Sequence, residues 1–413
     1  MGEPDPSWTA FRERNPVSCY RRSFDIPADW HGRHTFVVFN RVSSAFRLWV
    51  NGREVGYSQD SRTPAEFDIT PHIRPGTNLL AVCVWKYSDG AYLEDQDFWR
   101  LSGIFRDVYL WSSDPLDLRD FEIRAEPASG LQSGSVSLRT RTRNLGRTST
   151  PYSIEARLLD HNHQPLAEIR LSGSTPDDGS DNEASGSAHD LPVEPWSAES
   201  PALYRLLLAL HDADGHEVAH YAPRVGFRRS EVRDGQLLVN GRPILLKGIN
   251  RHDHDPVTGH CISLETMRAD LEAMKRLNIN AIRTAHYPND PAFLDLVDEY
   301  GFYVISEANI EAHGYGDTPA NPLAHDPTWL PALRDRVTNM VALLRNHACI
   351  ITWSLGNEAG YGPNLTSLFA WARQLDPSRP AGRKSLWALR DVGPEFEAWG
   401  AVIFLPRRCQ IGL

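Results

Sequence analysis

From about residue 229 the chain repeats one pattern four times: a strand-length apolar run, a polar cluster, then apolar residues at helical spacing. The runs are Ile244–Ile249, Ala281–Thr284, Phe302–Ile305 and Ile350–Leu355. Between them, Leu264, Met267, Leu271, Met274 and Leu277 keep a 3.6-residue period behind Ser263, a natural N-cap. Asp290-Pro291 and Asp326-Pro327 open two further helices, one through Phe293, Leu294, Leu296 and Val297 and one through Leu333, Val337, Met340, Val341 and Leu344. A fourth runs through Leu365, Leu368, Phe369 and Trp371. Alternating strands and helices of this length make a parallel sheet, in either a barrel or a doubly wound fold.

In both folds chemistry gathers at the C-terminal ends of the strands. The four strands run into Asn250-Arg251-His252-Asp253-His254, His286-Tyr287-Pro288-Asn289, Glu307-Ala308-Asn309-Ile310-Glu311-Ala312-His313 and Gly356-Asn357-Glu358. Four polar clusters on one rim mark a functional site. Two chemistries compete for it. His252, His254 and His286 would suit a metal hydrolase, although no cysteine supports a zinc site. Glu358, with Asn357 beside it for a sugar hydroxyl, would suit glycoside hydrolysis, which needs two carboxyl groups, one acid/base and one nucleophile or base. Glu311 and His313, together with Glu358, offer an oxygen-rich cation site that favours Mg²⁺ over zinc.

The first 228 residues carry no helical period. Thr35–Phe39, Phe46–Val50, Leu79–Trp85 and Ile104–Leu110 read as strands, and Asn51-Gly52 as a two-residue hairpin turn. This predicts a β-sandwich over 1–113. A second sandwich of immunoglobulin type is expected over 114–228, with Ser172–Glu183 as a mobile loop inside it. The 43 Lys+Arg against 53 Asp+Glu give a net charge of −10, which opposes nucleic acid or an anionic membrane as the main partner. With no signal peptide or membrane span in the sequence, a cytoplasmic location is expected. Five scattered cysteines without a CxxC pair read as reduced and structural.

The rim motifs resemble the signature segments of family 2 glycoside hydrolases. Glu307–Gly314 and Trp353–Gly362 are similar to the bacterial β-galactosidase branch. Arg14–Tyr20, the run from Tyr92 through Asp97-Phe98-Trp99-Arg100 to Arg106, and Pro195–Glu199 resemble that family's first two domains. The fold implied is a jelly-roll sandwich, an immunoglobulin-like sandwich and a (β/α)8 TIM barrel, here incomplete. The resemblance implies a retaining hydrolase of terminal β-galactosides such as lactose, with Glu358 as general acid/base. It implies Glu311, His313 and Glu358 as Mg²⁺ ligands, and His252, His286, Asn357, Asn15 and Asp97 as contacts to the galactosyl group, with Asp97 also near Na⁺. It further implies a homo-oligomer, which an incomplete barrel would weaken. Without the resemblance, Glu94–Asp97 reads as a solvated acidic loop. Alternatives are another β-glycosidase of the family, a β-glucuronidase or β-mannosidase, or a catalytically silent carbohydrate-binding fragment.

The barrel segment is assigned to 229–380, and 381–413 to a tail without family likeness. The 185 residues from 229 to 413 fall short of the roughly 250 a TIM barrel takes. The family's second glutamate, the nucleophile in a Glu-Tyr-Ala-His-like motif, is absent, and Glu395 and Glu397 stand in unrelated contexts. The expectation is a chain shortened at both ends, with its tail from a lost reading frame and with negligible hydrolysis on its own.

Overall fold

The computed structural model describes residues 15–315 and 321–382 and the backbone of 403–404. The sequence-predicted features at Arg14, Glu395, Glu397 and Cys409 lie outside the described residues.

The first sandwich packs two antiparallel sheets. One is ordered 17–25, 77–85, 45–50, 53–59; the other is ordered 65–68, 34–39, 108–113. Its core joins Val37, Phe39, Phe46, Leu48, Val82 and Val84, the alternate residues of facing strands. Asn51 and Gly52 both take positive φ, as the two-residue turn requires. The expected strand Ile104–Leu110 is instead split. Gly103–Ile104 pairs with Val42–Ser43, and Val108–Ser113 joins the second sheet. Between them Arg106 turns inward to Asp253 and Asp290, so the chain cannot stay extended there.

In the second sandwich, strands 116–127, 134–144 and 182–191 face a sheet ordered 165–174, 151–159, 204–211, 217–221. Both ends of the expected loop Ser172–Glu183 are strand, and 175–181 connects the two sheets. Apolar content misled here because the following strand turns Ala184, Gly186 and Ala188 inward. A Cβ on Gly186 would lie 2.7 Å from Ile169, so the inner face has no room for a larger residue.

The third unit is a parallel sheet in the order 381–382, 350–354, 303–307, 281–284, 247–251, 403–404. Its first four βα strands lie side by side in chain order with no reversal, which is barrel winding and not a doubly wound sheet. The helices Leu264–Arg276, Pro291–Tyr300, Leu330–Leu344 and Pro363–Leu375 cover the sheet. Ser263 and Asp290 cap the first two, accepting from Thr266 and Ala292 N–H. The first strand sits three residues later than expected, at Lys247–Arg251. Leu245 is exposed, and the Asn280 side chain holds the entry by bonding Lys247 N–H and the Leu245 carbonyl. Ala381–Gly382, at the start of the stretch assigned to the tail, pairs beside Trp353–Ser354 as a fifth parallel strand.

Buried polar pins join the three units. Trp196 is fully buried and donates to the Asp298 carbonyl. Arg228 caps the carbonyls of Ala348 and Ile350 beneath the barrel. Asp253 is fully buried among Arg251, Arg106 and Arg41; burial acts to raise its pKa, but these guanidiniums hold it below the usual carboxylate range. Of the four described cysteines all are free, but only Cys349 is buried, so the structural reading fits that one alone. No helix among the described residues is long and apolar enough to cross a membrane.

Candidate active site

The turn after the fourth strand presents the principal carboxylate. Gly356 has φ +133, and a Cβ there would lie 2.6 Å from the Ile310 carbonyl oxygen; Gly360 has φ +73 with Asn321 as close. Only glycine fits both positions. Between them Glu358 takes φ +39, uncommon for a residue with a Cβ, and its side chain is 40% exposed on the rim.

Glu358 accepts from or pairs with His313 Nδ1 at 2.7 Å, and Glu311, His313 and Glu358 bring ligand atoms within 4.8 Å of one another. Glu311 is almost wholly buried, and its Oε2 has no hydrogen-bond partner among the described residues. Burial raises the Glu311 pKa to about 8, against the Asn357 hydrogen bond and with the Glu307 and Glu358 charges adding to the rise. An orphaned, buried carboxylate oxygen beside a second carboxylate and an imidazole is a donor set that fits a hard divalent cation. Two other groups of this kind do not compare. The Asp298, His347 and Cys349 group is engaged in hydrogen bonds beneath the barrel, and Asp212, Asp214 and His216 form a surface turn.

Beneath this rim lies a network that residue patterns did not reveal. Glu307, ending the third strand, has no exposed surface. Its Oε2 accepts from Arg283 Nε and Nη2 and from Ser354, and its Oε1 accepts from His286 Nδ1. Burial opposes ionisation, but Arg283 and His286 hold the pKa down to about 2. Since a carboxylate only accepts, His286 Nδ1 carries the proton and Nε2 is left to serve the rim. Arg283 also donates to Asn357 Oδ1 at 3.0 Å, fixing the residue before Glu358.

Of the other predicted site residues, His252 stacks on Phe98 at 4.3 Å and meets His286 edge-on at 5.5 Å. His254 stacks instead with Trp99, so the three histidines do not converge on one ion. The loop read as a solvated acidic run is mostly buried. Asp95 and Gln96 are buried, Gln96 donates to Asn309, the Glu94 side chain pairs with Arg336, and only Asp97 is exposed. Solvation failed as a guide because Asn309 and Arg336, more than 200 residues away in sequence, satisfy these groups. Asn15 exchanges both its amide groups with the backbone of Tyr87, at 3.0 Å each, which leaves one N–H and one lone pair for a ligand.

Three family models match the chain in succession. Glycosyl hydrolases family 2, sugar binding domain, spans 7–114; Glycosyl hydrolases family 2 spans 116–228; and Glycosyl hydrolases family 2, TIM barrel domain, spans 230–389. The chain belongs to glycosyl hydrolase family 2. Among family 2 relatives, the Beta-galactosidase of Pectobacterium atrosepticum is 45% identical over 378 residues and that of Vibrio cholerae 44% identical over 371. Each alignment covers 89% of this chain, and the chain spans 36% of the length of these curated relatives. A beta-glycosidase structure from Bacteroides vulgatus aligns with TM-score 0.74 at 27% identity, over 89% of this chain and 46% of that one. A Bifidobacterium dentium beta-glucuronidase complexed with coumarin-3-O-glucuronide aligns with TM-score 0.77 at 22% identity, covering 89% of this chain and 65% of that chain; this shows a shared fold alone. The family 2 match thus accounts for two sandwiches followed by part of a TIM barrel.

Proposed function

We propose that this chain carries the acid/base half of a retaining β-galactosidase site, binding the galactosyl group of a terminal β-galactoside. The observation that carries it is Glu358 on the rim, set beside His313 and the orphaned carboxylate of Glu311. The β-galactosidase relatives above 40% identity support the substrate class.

In this reading Glu358 gives its proton to the glycosidic oxygen and later takes one from water. Glu311, His313 and Glu358 would hold Mg²⁺, whose positive charge would offset the buried Glu311 carboxylate and fix the position of Glu358, which still takes up the proton it delivers. His286 accepts from a sugar hydroxyl through Nε2, with Glu307 and Arg283 fixing its ring. His252, Asn357 and Asn15 bind neighbouring hydroxyls, and Asp97 takes Na⁺ beside the sugar. Glu307 is no nucleophile, because its oxygens are all engaged and its low pKa makes it a poor base. With Glu307 engaged and Glu311 grouped with the cation ligands, neither glutamate of the third strand's segment is left as the second carboxylate of a retaining pair, so we expect negligible turnover by this chain alone. The family likeness favours a homo-oligomer, which an incomplete barrel would weaken, and a cytoplasmic protein acting on a small-molecule galactoside.

The test is calorimetric titration with isopropyl thio-β-galactoside and its glucoside epimer, with and without Mg²⁺, alongside a chromogenic galactoside assay. Galactoside binding strengthened by Mg²⁺, and weakened in His286→Ala, is the expected result. Equal binding of the two epimers, or none of either, would sink the reading.

A further inference from the structure

The outer face of the first sandwich brings two cysteines together. Strands Val17–Asp25 and Thr77–Trp85 pair antiparallel in unbroken register, which sets Cys19 directly opposite Cys83. Directly opposite residues share a face of the sheet. Here it is the face turned away from the core, since Val82 and Val84 on either side of Cys83 are buried in the sandwich. Cys19 is exposed and Cys83 half-buried, and both thiols are free.

The hydrogen-bond phase of the ladder decides whether their sulfurs can meet. Lys86 N–H donates to the Pro16 carbonyl at 3.0 Å, which makes Pro16 and Lys86, the next pair beyond Val17 and Trp85, a hydrogen-bonded pair. Pairs alternate along an antiparallel ladder, so Ser18 and Val84 are again hydrogen-bonded and Cys19 and Cys83 are not. Opposite residues in a non-hydrogen-bonded pair stand about 4.5 Å apart at Cα, inside the span of about 4.4–6.8 Å that a disulfide bridges. The two thiols are already in contact, for the Cys83 side chain is hydrogen-bonded to that of Cys19. The other described cysteines are engaged elsewhere: Cys261 donates to the Phe105 carbonyl, and Cys349 is buried in the barrel unit.

The two thiols are unequal. Cys19 lies on the edge strand of its sheet, where every residue but Phe24 is exposed. Burial raises the Cys83 thiol, and the neighbouring Cys19 raises it further through charge and the hydrogen bond. The part due to Cys19 vanishes once that sulfur is bonded elsewhere, so Cys83 ionises more readily at the moment it has to attack. Among the described strands 17–25 pairs with 77–85 alone, which leaves a covalent tie something to add.

We propose that Cys19 and Cys83 form a reversible cross-strand disulfide, made by exchange with a low-molecular-weight disulfide such as oxidised glutathione, that staples the edge strand 17–25 to the first sandwich. The Cys19 thiolate attacks one sulfur of the oxidant, forming a mixed disulfide and expelling one thiolate. The Cys83 thiolate then attacks the Cys19 sulfur, forming the protein disulfide and expelling the second. Two protein thiols thereby give up two protons and two electrons, and the S–S bond of the oxidant takes them up as two thiols. An exposed disulfide is also open to the reverse exchange, so excess thiol removes the staple. The staple needs neither Glu358 nor a bound sugar.

Incubation of the full chain with oxidised glutathione, followed by peptide mapping under non-reducing conditions and by amide hydrogen exchange, tests it. Expected are a Cys19–Cys83 cross-link within one chain, amide exchange across 17–25 slowed about tenfold, and reversal of both by dithiothreitol. Cys83→Ser should stop with glutathione held on Cys19, which reads out the order of the two steps. Cys19→Ser should leave Cys83 largely unmodified. Both reduced variants should melt with the unaltered chain, because each serine replaces a sulfur on a solvent-facing sheet surface. Free thiols at both positions after oxidation, glutathione persisting on Cys19 while Cys83 stays unreacted in the unaltered chain, a cross-link only between two chains, or unslowed exchange across 17–25 would overturn the proposal.

Discussion

Asp95, on a loop of the first sandwich, accepts from the Gly314 backbone N–H at 2.5 Å while its own N–H donates to the Glu311 carbonyl at 3.1 Å. One residue of the jelly-roll unit thereby clamps both ends of the segment that holds Glu311 and His313. Arg100 in turn donates to the Asp95 carboxylate. The clamp makes the sandwich part of the proposed cation site, because the backbone carrying Glu311 and His313 cannot drift without breaking bonds to another unit.

Asp95→Ala should therefore weaken divalent-cation binding about tenfold, the usual scale for a group supporting metal ligands. Mn²⁺ titration followed by electron paramagnetic resonance reads this without any catalysis. An unchanged affinity would show that the segment holds its shape unaided.

Glu311 supplies a pH prediction. Its pKa is about 8 in the folded chain against 4.5 for an exposed glutamate. Between those values the folded state keeps a proton that the unfolded state has released, so this group's contribution to stability falls as pH rises through that window. Without Mg²⁺, Glu311→Gln should gain in Tm over the unaltered chain between pH 5 and pH 8, with little difference below pH 4.5. Mg²⁺ should recover the loss in the unaltered chain only. Parallel melting curves in chelator that show no pH-dependent gap between the two proteins would refute this.

The buried Arg283–Glu307 pair supplies a stability prediction. Glu307→Gln leaves a guanidinium inside the barrel without its counter-charge, a change that costs about 3–5 kcal/mol. Replacing Arg283 with Met in the same molecule removes the stranded charge. The double variant should then be less destabilised than the sum of the single changes, as denaturant unfolding can measure.

Much of this was readable from sequence because local signals agreed. Ser263 and Asp290 sit where capping chemistry needs them, and the rim clusters follow strands whose apolar runs are unmistakable. The Glu307 network was not readable, since a strand buried on both faces carries no alternation to tell which residues point into the barrel. Asp253 was visible as part of a motif, but its partners Arg41 and Arg106 come from another unit. The Asn182–Leu191 strand was hidden because its inner face is built of Ala and Gly, chosen for closeness to Ile169 and Leu171 and not for hydrophobicity.

Arg336 offers the sharpest test of how the units are coupled. It projects from the helix Leu330–Leu344 of the barrel and pairs with Glu94 at 2.8 Å and with Asp60 at 3.5 Å, both from the first sandwich, and all three side chains are buried. Asp60 also accepts from Asn309 of the barrel, so two units share one polar cluster. Arg336→Met would leave two carboxylates facing each other without a cation, and Glu94, which burial already pushes up despite Arg336, would rise further. Stability should fall by about 3 kcal/mol or more at neutral pH, and part of the loss should return on acidification as a carboxylate takes up a proton. Because the lost contacts are those between units, calorimetry should also show the sandwich and barrel melting as separate transitions where the unaltered chain melts as one. A variant that unfolds in a single transition at the original temperature would mean that the aromatic and backbone contacts of the 93–101 loop hold the two units together without this ion cluster.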